Sequence, residues 1–489
     1  MTARRRTLQR SPNDEAMLDD LQRKAFLFFE RHVLPGTGLV LDSTRPGQPV
    51  SIAAVGFALA SYPVGVERGF IRRSTALKHT LAALRFFDEA DQSGAPDGVG
   101  HHGFFYHFLD PATGTRTWRC EISTIDTALL LAGMIEAAAY FDLDTAHERE
   151  VRDRALSIYA RIDWRWALKD NNTIALGWKP ETGFLVYGWC GYDESLIMHV
   201  LALAAPRFRL EPVTFDAWTS SYRWRHLYGE DVLYAGPLFI HQFSHIWLDL
   251  RGIRDRFMAS KGTDYFENSR VATQIHRQYA IRNPRKFVGY EKNCWGLSAT
   301  DGPGNVVLRV EGHRRQFYDY TARGAPFGPD DGTISPWSAI ASLPFAPGIV
   351  LEEIRHLEEL IGHGPQGYGF HASFNQSWPD LHTRGAHRYT LRNGQQVAWV
   401  SPWHFALHQG PIVLMIENYR SGMIWNLMRR CAPIRLGLER AGFQGGWLES
   451  GRPADSRKAR VSRAQAPAVR TRKKEQARDR KPHKPKEPS

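Results

Sequence analysis

The chain has few cysteines for its length, and they lie far apart. Its 489 residues contain four, Cys120, Cys190, Cys294 and Cys431, without a C-x-x-C pair. Disulfide frameworks and zinc sites built on cysteine depend on short or regular spacings. The sequence therefore argues against both classes of protein, and packing is the expected role of these side chains.

Long hydrophobic runs are also lacking. The apolar stretches are all shorter than the roughly 20 residues that a membrane-spanning helix needs, so the sequence argues against a membrane span. Arg4, Arg5 and Arg6 resemble the start of an export signal, but polar residues 11–15 follow where an apolar region should stand. The sequence as written predicts a cytoplasmic protein, and a periplasmic one if the true start lies elsewhere.

Most of the chain has little net charge. Of the formal charge of +12, residues 451–489 contribute +10 through 14 Lys and Arg against 4 Asp and Glu, which leaves +2 for the rest. The body therefore needs no nucleic-acid partner. The tail has no aromatic residues and is predicted to be disordered. A solvated appendage is the favoured interpretation, and weak contact with nucleic acid or an anionic surface is the alternative.

Three almost wholly apolar segments, in contrast, each begin with a polar, ionisable cluster. They are residues 121–134, 191–206 and 408–422. Helices that are apolar nearly all round are buried in large proteins. If the polar starts of these helices meet in one place, they form a carboxylate-lined pocket, which is a catalytic arrangement.

The pattern along the chain is helix, loop, helix, repeated many times without a short sequence repeat, which disfavours a solenoid. A closed ring of helix pairs fits, with inner helices apolar all round and outer helices amphipathic. The predicted fold is therefore an all-α dominated α/α toroid with small β-hairpin insertions, such as residues 103–108 with 117–120. Residues 13–448 are predicted to be one domain, between a flexible N-terminus (1–12) and the disordered tail (449–489). Helices are predicted near 13–33, 51–60, 72–90, 122–141, 146–162, 192–205, 213–224, 240–250, 262–281, 348–361, 411–429 and 433–441.

The acids at two of the helix starts are the strongest catalytic candidates. Asp126 lies in the first turn of its helix, with Glu121 just before it, and Asp193 and Glu194 begin another. Acids at such positions can simply cap helices, which is the favoured role of Asp193. Burial against an apolar wall would raise the pKa of Asp126 or Glu194, and a helix N-terminus would lower it. Two carboxyl groups across a sugar-sized gap are what glycoside hydrolysis requires.

A histidine-rich segment and several loops carry further candidates. His241, His245 and Asp249 are spaced as on one helix face, but the glutamate of zinc-binding H-E-x-x-H helices is missing. A structural or pocket-lining role is favoured, and neither a metal nor a cofactor is predicted. Glu291 and Asp301 lie in loops that flank Trp295. Tryptophan faces stack well on sugar rings, although large cores also use them.

Eight segments of the chain, in order, resemble one protein family. They include E-I-S-T-I-D-T-A-L-L-L-A-G, G-Y-D-E-S-L-I-M-H-V-L-A-L and Q-G-P-I-V-L-M-I-E-N-Y-R-S-G. The family is the glycoamylase-like proteins that include bacterial β-1,2-glucanases. The resemblance implies an (α/α)6 toroid that hydrolyses glucan-type glycosidic bonds without a cofactor. The eight segments are residues 51–69, 103–110, 121–133, 191–203, 236–249, 264–270, 334–347 and 409–422.

The resemblance also implies roles for individual residues. Glu194 is predicted to be the general acid and Asp126 the second carboxylate. His408 stands where the family has aspartate in D-Q-G-P, and it could bind sugar hydroxyls or act as a base. The predicted partner is an oligo- or polysaccharide, with β-1,2-glucan or a related β-glucan expected; the alternative is a carbohydrate-binding or degenerate member with little turnover. The predicted substrate-binding residues are Glu121, Asp193, Trp118, Trp189, His241, Glu291, Trp295, Asp301, Trp403 and His408.

Overall fold

The computed structural model describes residues 11–310, 312–379, 389–390, 394, 396–397 and 399–449. The predicted tail beyond Glu449 and residues 1–10 of the predicted N-terminus lie outside this part of the chain. Within it, helices dominate, as the sequence predicts.

The described residues contain fifteen α-helices. They are α1 (Pro12–His32), α2 (Ile52–Glu67), α3 (Arg73–Glu89), α4 (Thr124–Tyr140), α5 (Ala146–Arg161), α6 (Leu196–Ala204), α7 (Val213–Thr219), α8 (Phe243–Trp247), α9 (Arg256–Ser260), α10 (Tyr265–Arg282), α11 (Pro336–Ile340), α12 (Pro347–Leu360), α13 (Ala406–Arg420), α14 (Met423–Arg430) and α15 (Ala432–Arg440). Short 3₁₀ turns form at Leu238–His241 and Gly446–Leu448.

The strands are short, and all their pairings are antiparallel. The largest sheet has the order β2-β3-β5-β6-β7. The strands are β1 (Val50–Ser51), β2 (Gly100–His101), β3 (Phe104–Tyr106), β4 (Phe108–Leu109), β5 (Ile122–Ser123), β6 (Gly177–Lys179), β7 (Gly183–Phe184), β8 (Trp224–Leu227), β9 (Glu230–Leu233), β10 (Ala299–Thr300), β11 (Val306–Val310), β12 (His313–Phe317), β13 (Thr321–Ala322), β14 (Thr333–Ile334), β15 (Phe374–Asn375), β16 (Tyr389–Thr390), β17 (Gln396–Val397) and β18 (Trp399–Val400).

Six helices are buried over nearly their whole surface: α2, α4, α6, α8, α11 and α13. Helix α2 packs on α4 and α13, α4 on α6, α6 on α8, and α11 on α13. The Gln242 amide before α8 donates to the Ser338 carbonyl of α11. The sequence correctly predicts the burial of α4, α6 and α13 from their apolar composition.

A second set of helices covers the first. Helix α1 packs on α13, α3 on α2, α5 on α4, α15 on α6, α12 on α11 and α10 on the 3₁₀ turn at Leu238–His241. The buried residues of α5 are confined to one face, as predicted for an outer helix. The helices α2 and α4 approach closely at Gly56 and Gly133. A Cβ atom on Gly133 would lie only 2.1 Å from the Gly56 carbonyl oxygen, so the contact requires glycine there.

Several predicted boundaries are wrong for local reasons. The segment 411–429 forms two helices, because Gly422 adopts a left-handed φ of 68° between them. Helix α6 begins at Leu196 rather than near residue 192, because Asp193 binds the Ser195 amide and holds a turn there. Helix α1 is capped by Ser11 and begins at Pro12, one residue before the predicted start.

The predicted hairpin also differs from the structure. Its two segments meet through the Thr117 amide, which donates to the Phe108 carbonyl at 3.1 Å, next to the Leu109–Arg116 bridge. In the turn between them, Asp110 accepts the Ala112 and Thr113 amides. Strand β3 pairs instead with β2 and β5. Among the residues described, no helix has both the length and the apolar character needed to cross a bilayer.

Candidate active site

A cavity of about 1110 Å³ lies where several inner helices begin. Its lining includes residues from the N-terminal parts of α4, α8, α11 and α13 and from the turn before α6. The polar starts of the three apolar segments therefore meet in one place, as the sequence suggests. Of the twelve predicted site residues, those that line the cavity are Asp126, Glu194, Glu121, Trp118, Trp189, Asp301, Trp403 and His408.

Glu194 lies in the turn before α6 and is only partly exposed. Its backbone is held from α8, since the Ser244 hydroxyl donates to the Glu194 carbonyl at 2.9 Å and accepts the Ile197 amide at 3.0 Å. Burial raises the pKa of the Glu194 carboxyl well above 4.5, and the negative charge of Asp193 adds to that rise. Glu194 is therefore a carboxylic acid able to donate a proton near neutral pH.

Asp193 is not among the residues that line the cavity. Its Oδ1 accepts hydrogen bonds from the Ser195 amide at 2.9 Å, from the Ser195 hydroxyl and from the Trp218 indole at 3.1 Å. These bonds hold the turn that carries Glu194. Asp193 thus stabilises the turn before α6, whereas the N-cap of that helix is Ser195 rather than Asp193.

Asp126 lies in the first turn of α4 and lines the cavity. Ser123 caps this helix: its hydroxyl accepts the Asp126 amide at 3.2 Å and donates to the Asp126 carboxylate. The Asp126 Oδ2 also faces His107 Nε2 at 3.5 Å. Ser123 and His107 therefore both contact the Asp126 carboxylate and orient it.

His107 joins two of the predicted acids. Its Nδ1 lies 3.0 Å from Glu121 Oε1, while its Nε2 faces Asp126. Burial alone would lower the pKa of the His107 imidazole, but the charges of Asp126, Glu121 and Asp42 raise it to about 9. The hydrogen bond from His107 in turn lowers the pKa of Glu121. His107 is thus a cation within an acidic wall.

Sequence reasoning missed His107 and Asp42 as site residues. The only signal for His107 is one polar residue inside the apolar run 104–109. Asp42 reaches the cavity through a long-range contact, because its carbonyl accepts the Ala406 amide at the start of α13. Burial raises the pKa of Asp42 to about 6, against the opposing effect of His107.

Asp301 lines the cavity from the loop after β10. It accepts hydrogen bonds from the hydroxyls of Ser373 at 2.8 Å and Ser401 at 2.6 Å. Burial raises its pKa to about 6 in spite of these bonds. A further carboxylate, Asp319, also lines the cavity.

His408 is a neutral, packed side chain. Its ring stacks on Trp337 with centroids 4.8 Å apart and planes at 11°, and its Nε2 donates to the Ala299 carbonyl at 3.1 Å. Burial lowers the pKa of His408 to about 3. His408 is therefore poorly suited to take up a proton, and it fits a packing and hydrogen-bonding role.

The predicted sugar-stacking tryptophans fall into two groups. Trp118 is 58% exposed at the cavity and packs against Phe108 in a tilted arrangement, with ring centroids 5.2 Å apart. Trp189 lines the cavity and donates its indole N–H to Thr124 Oγ1 at 3.0 Å, and Trp403 also lines it. Trp295, in contrast, is 1% exposed and is not part of the lining.

The remaining predicted residues lie away from the cavity. His241 is buried and contacts the Ala235 carbonyl through Nε2 at 3.2 Å, and burial lowers its pKa to about 4. Glu291 is largely exposed and pairs with His356 at 3.0 Å. Within the described parts of the chain, no group of three or more His, Cys, Asp or Glu is arranged to hold a metal.

Comparisons with known proteins show similarity to one family and to a curated relative. The family model described as glycoamylase matches residues 186–432. Over 462 residues, the chain is 28% identical to an exo β-1,2-glucooligosaccharide sophorohydrolase (non-reducing end) from Parabacteroides distasonis, covering 87% of this chain and 58% of that protein. The chain thus spans less than two thirds of that relative's length.

Two solved structures are similar over most of the chain. A protein from Bacteroides uniformis, provisionally named a glucoamylase, superposes with a TM-score of 0.77 at 27% identity, over 90% of this chain and 100% of that one. A β-1,2-glucanase from Parabacteroides distasonis superposes with a TM-score of 0.73 at 26% identity, over 88% of this chain and 60% of that one.

Proposed function

We propose that this chain, which belongs to the glycoamylase family, is a glycoside hydrolase that cleaves glucan-type glycosidic bonds. Two relatives above 25% identity are named for the hydrolysis of β-1,2-linked glucose chains. Linear β-1,2-glucan is therefore the substrate proposed for this chain.

The observation that carries the proposal is that one cavity contains Glu194 and Asp126 in different surroundings. Glu194, which burial keeps protonated, donates its proton to the oxygen of the leaving sugar. Asp126, which accepts from Ser123 and faces the His107 cation, is the second carboxylate and acts on water or on the anomeric carbon. Glycosidases depend on such a division between two carboxyl groups.

The composition of the cavity supports a neutral sugar as substrate. Its lining contains six carboxyl groups, against Arg45, His107 and the neutral His408 as basic side chains. Such a surface repels anionic sugars and offers many acceptors to hydroxyl groups. Trp118, Trp189 and Trp403 supply faces on which sugar rings can stack. The six carboxyl groups are those of Asp42, Glu121, Asp126, Glu194, Asp301 and Asp319.

The fold that we propose is an (α/α)6 toroid formed by a single domain of residues 13–448. Its inner ring consists of α2, α4, α6, α8, α11 and α13, and its outer ring of α1, α3, α5, α15, α10 and α12. The order of packing contacts between neighbouring helices supports this arrangement. A cavity at the starts of the inner helices is the expected place for a site in such a ring.

His408 is the observation that favours a second candidate function. A neutral, stacked imidazole stands where the family resemblance implies a carboxylate. If that missing acid is essential, the protein binds glucan with little turnover.

One experiment separates the two functions. The purified protein is incubated with linear β-1,2-glucan, and with β-1,3- and β-1,4-glucans as controls, and the products are separated by chromatography. Shorter oligosaccharides from the β-1,2-linked chain alone support hydrolysis. Binding measured by calorimetry without products supports the second function, and neither binding nor products refutes both.

A further inference from the structure

The ring of His107 is held in place by its backbone and by a stacked neighbour. The His107 amide donates to the Glu121 carbonyl at 2.9 Å, and its carbonyl accepts the Ile52 amide at the start of α2 at 3.2 Å. The imidazole stacks on the Phe108 ring with centroids 3.9 Å apart and planes at 12°. Its orientation is therefore determined before any substrate binds.

The groups that face this ring from each neighbouring element are acidic. Asp42 approaches from the segment after α1, Glu121 from the residue before β5, and Asp126 from α4. Lys179 lies near Glu121 and partly offsets its charge. Three carboxyl groups on one wall repel one another, and a cation between them reduces that repulsion.

We propose that His107 is a positioning residue for hydrolysis, whose ring joins Glu121 to Asp126 and holds the Asp126 carboxylate oriented towards the cavity. The inference rests on the proposed function, because it assigns His107 to the reaction that Asp126 serves. His107 itself does not exchange a proton with the substrate. Its two ring nitrogens are both occupied by carboxylate oxygens.

The chain offers a matched control for this role. His102 also pairs with a carboxylate, since its Nδ1 lies 3.6 Å from Asp163 Oδ2. Its ring also stacks on an aromatic side chain, Trp166, with centroids 4.7 Å apart at 11°. It is not among the residues that line the cavity. The substitution His102→Asn therefore removes the same kind of contacts elsewhere.

The test compares wild type, His107→Gln, His107→Asn and His102→Asn on β-1,2-glucan across the pH range. Both His107 variants should lower kcat with little change in KM. The acidic limb of the pH profile should move up by about one pH unit or more, the usual effect of losing an opposite charge. At pH values below the acidic limbs of both wild type and variant, each pH unit of that movement corresponds to about a ten-fold loss of activity. His102→Asn should leave the limb in place. A folded His107 variant with an unchanged limb overturns the proposal.

A second readout does not depend on activity. In protein with labelled histidine, the NMR signal of His107 is the one that disappears in His107→Asn. This signal should titrate with a midpoint near 9. A midpoint at or below 6.5 overturns the proposal even if the enzyme is active. If wild type releases no products although the midpoint is near 9, the proposed function fails, and the charge on His107 stands as a structural feature.

Discussion

Replacement of Glu194 by glutamine tests the catalytic assignment most directly. The amide has nearly the same shape as a protonated carboxyl group, but it cannot give a proton to the leaving oxygen. General acid catalysis contributes about 10²–10⁴-fold to such reactions. We expect kcat on β-1,2-glucan to fall by that factor, while binding of the glucan is retained.

The same substitution should not destabilise the fold. Burial raises the pKa of Glu194 in the folded protein above its value in the unfolded chain. The contribution of the Glu194 carboxyl to the free energy of unfolding is therefore complete below the unfolded-state pKa. It is lost as the pH rises through the folded-state pKa. Each unit of that shift corresponds to about 1.4 kcal/mol. Glu194→Gln should therefore match wild type in the free energy of unfolding at acidic pH and exceed it at alkaline pH.

Product release from β-1,2-glucan and urea unfolding at pH 5 and pH 9 provide the two measurements. The matched control is Glu352→Gln, since Glu352 is half-exposed and pairs with Arg277 and Lys292 away from the cavity. The control should keep full activity. Full activity in Glu194→Gln would refute its role as general acid, and a large loss of stability would refute the view that it is buried in protonated form.

Three other changes test separate parts of the structure. Gly133→Ala should reduce the free energy of unfolding by about 1–3 kcal/mol, because the added Cβ would meet the Gly56 carbonyl oxygen. The control Gly348→Ala should leave it unchanged, since no atom lies within 4 Å of the added Cβ. Equal thermal unfolding midpoints for the two variants would contradict the close packing of α2 on α4. Trp118→Ala should raise KM by about five-fold, equivalent to about 1 kcal/mol of stacking, with an unchanged unfolding midpoint; an unchanged KM would remove Trp118 from the substrate site. Removal of residues 451–489 should leave hydrolysis unchanged and abolish any salt-sensitive binding of nucleic acid, and binding that survives truncation would assign it to the body.

The comparison of Asp126 with His107 shows why the sequence predicts one and not the other. Asp126 stands at the start of an almost wholly apolar segment, where a charged side chain has few structural uses other than capping. That contrast is visible in the sequence, and the family resemblance, which the comparisons confirm, points to the same residue. His107 lies in a short strand, and the carboxylates that make it a cation come from residues 42, 121 and 126.

Burial was harder to predict than helix formation. The sequence predicts that Glu291, in a loop, and the nearby Trp295 bind substrate, yet Trp295 is enclosed in the core and Glu291 faces solvent. A single-turn helix such as α11 has too few residues to show a period, although it contributes Trp337 to the cavity. These outcomes depend on which segments pack together, which no local pattern records.

The sequence by itself determined the helical class, the burial of the apolar helices and the presence of acids at their starts, because each of these follows from composition and spacing within one segment. The tertiary structure alone decided which of those acids share a cavity, which carboxyl group is held protonated, and that a histidine lies among them. Ionisation depends on the burial and charge of neighbours in space. Some of those neighbours come from other segments of the chain, as Asp126 does for Glu194 and Asp42 for His107.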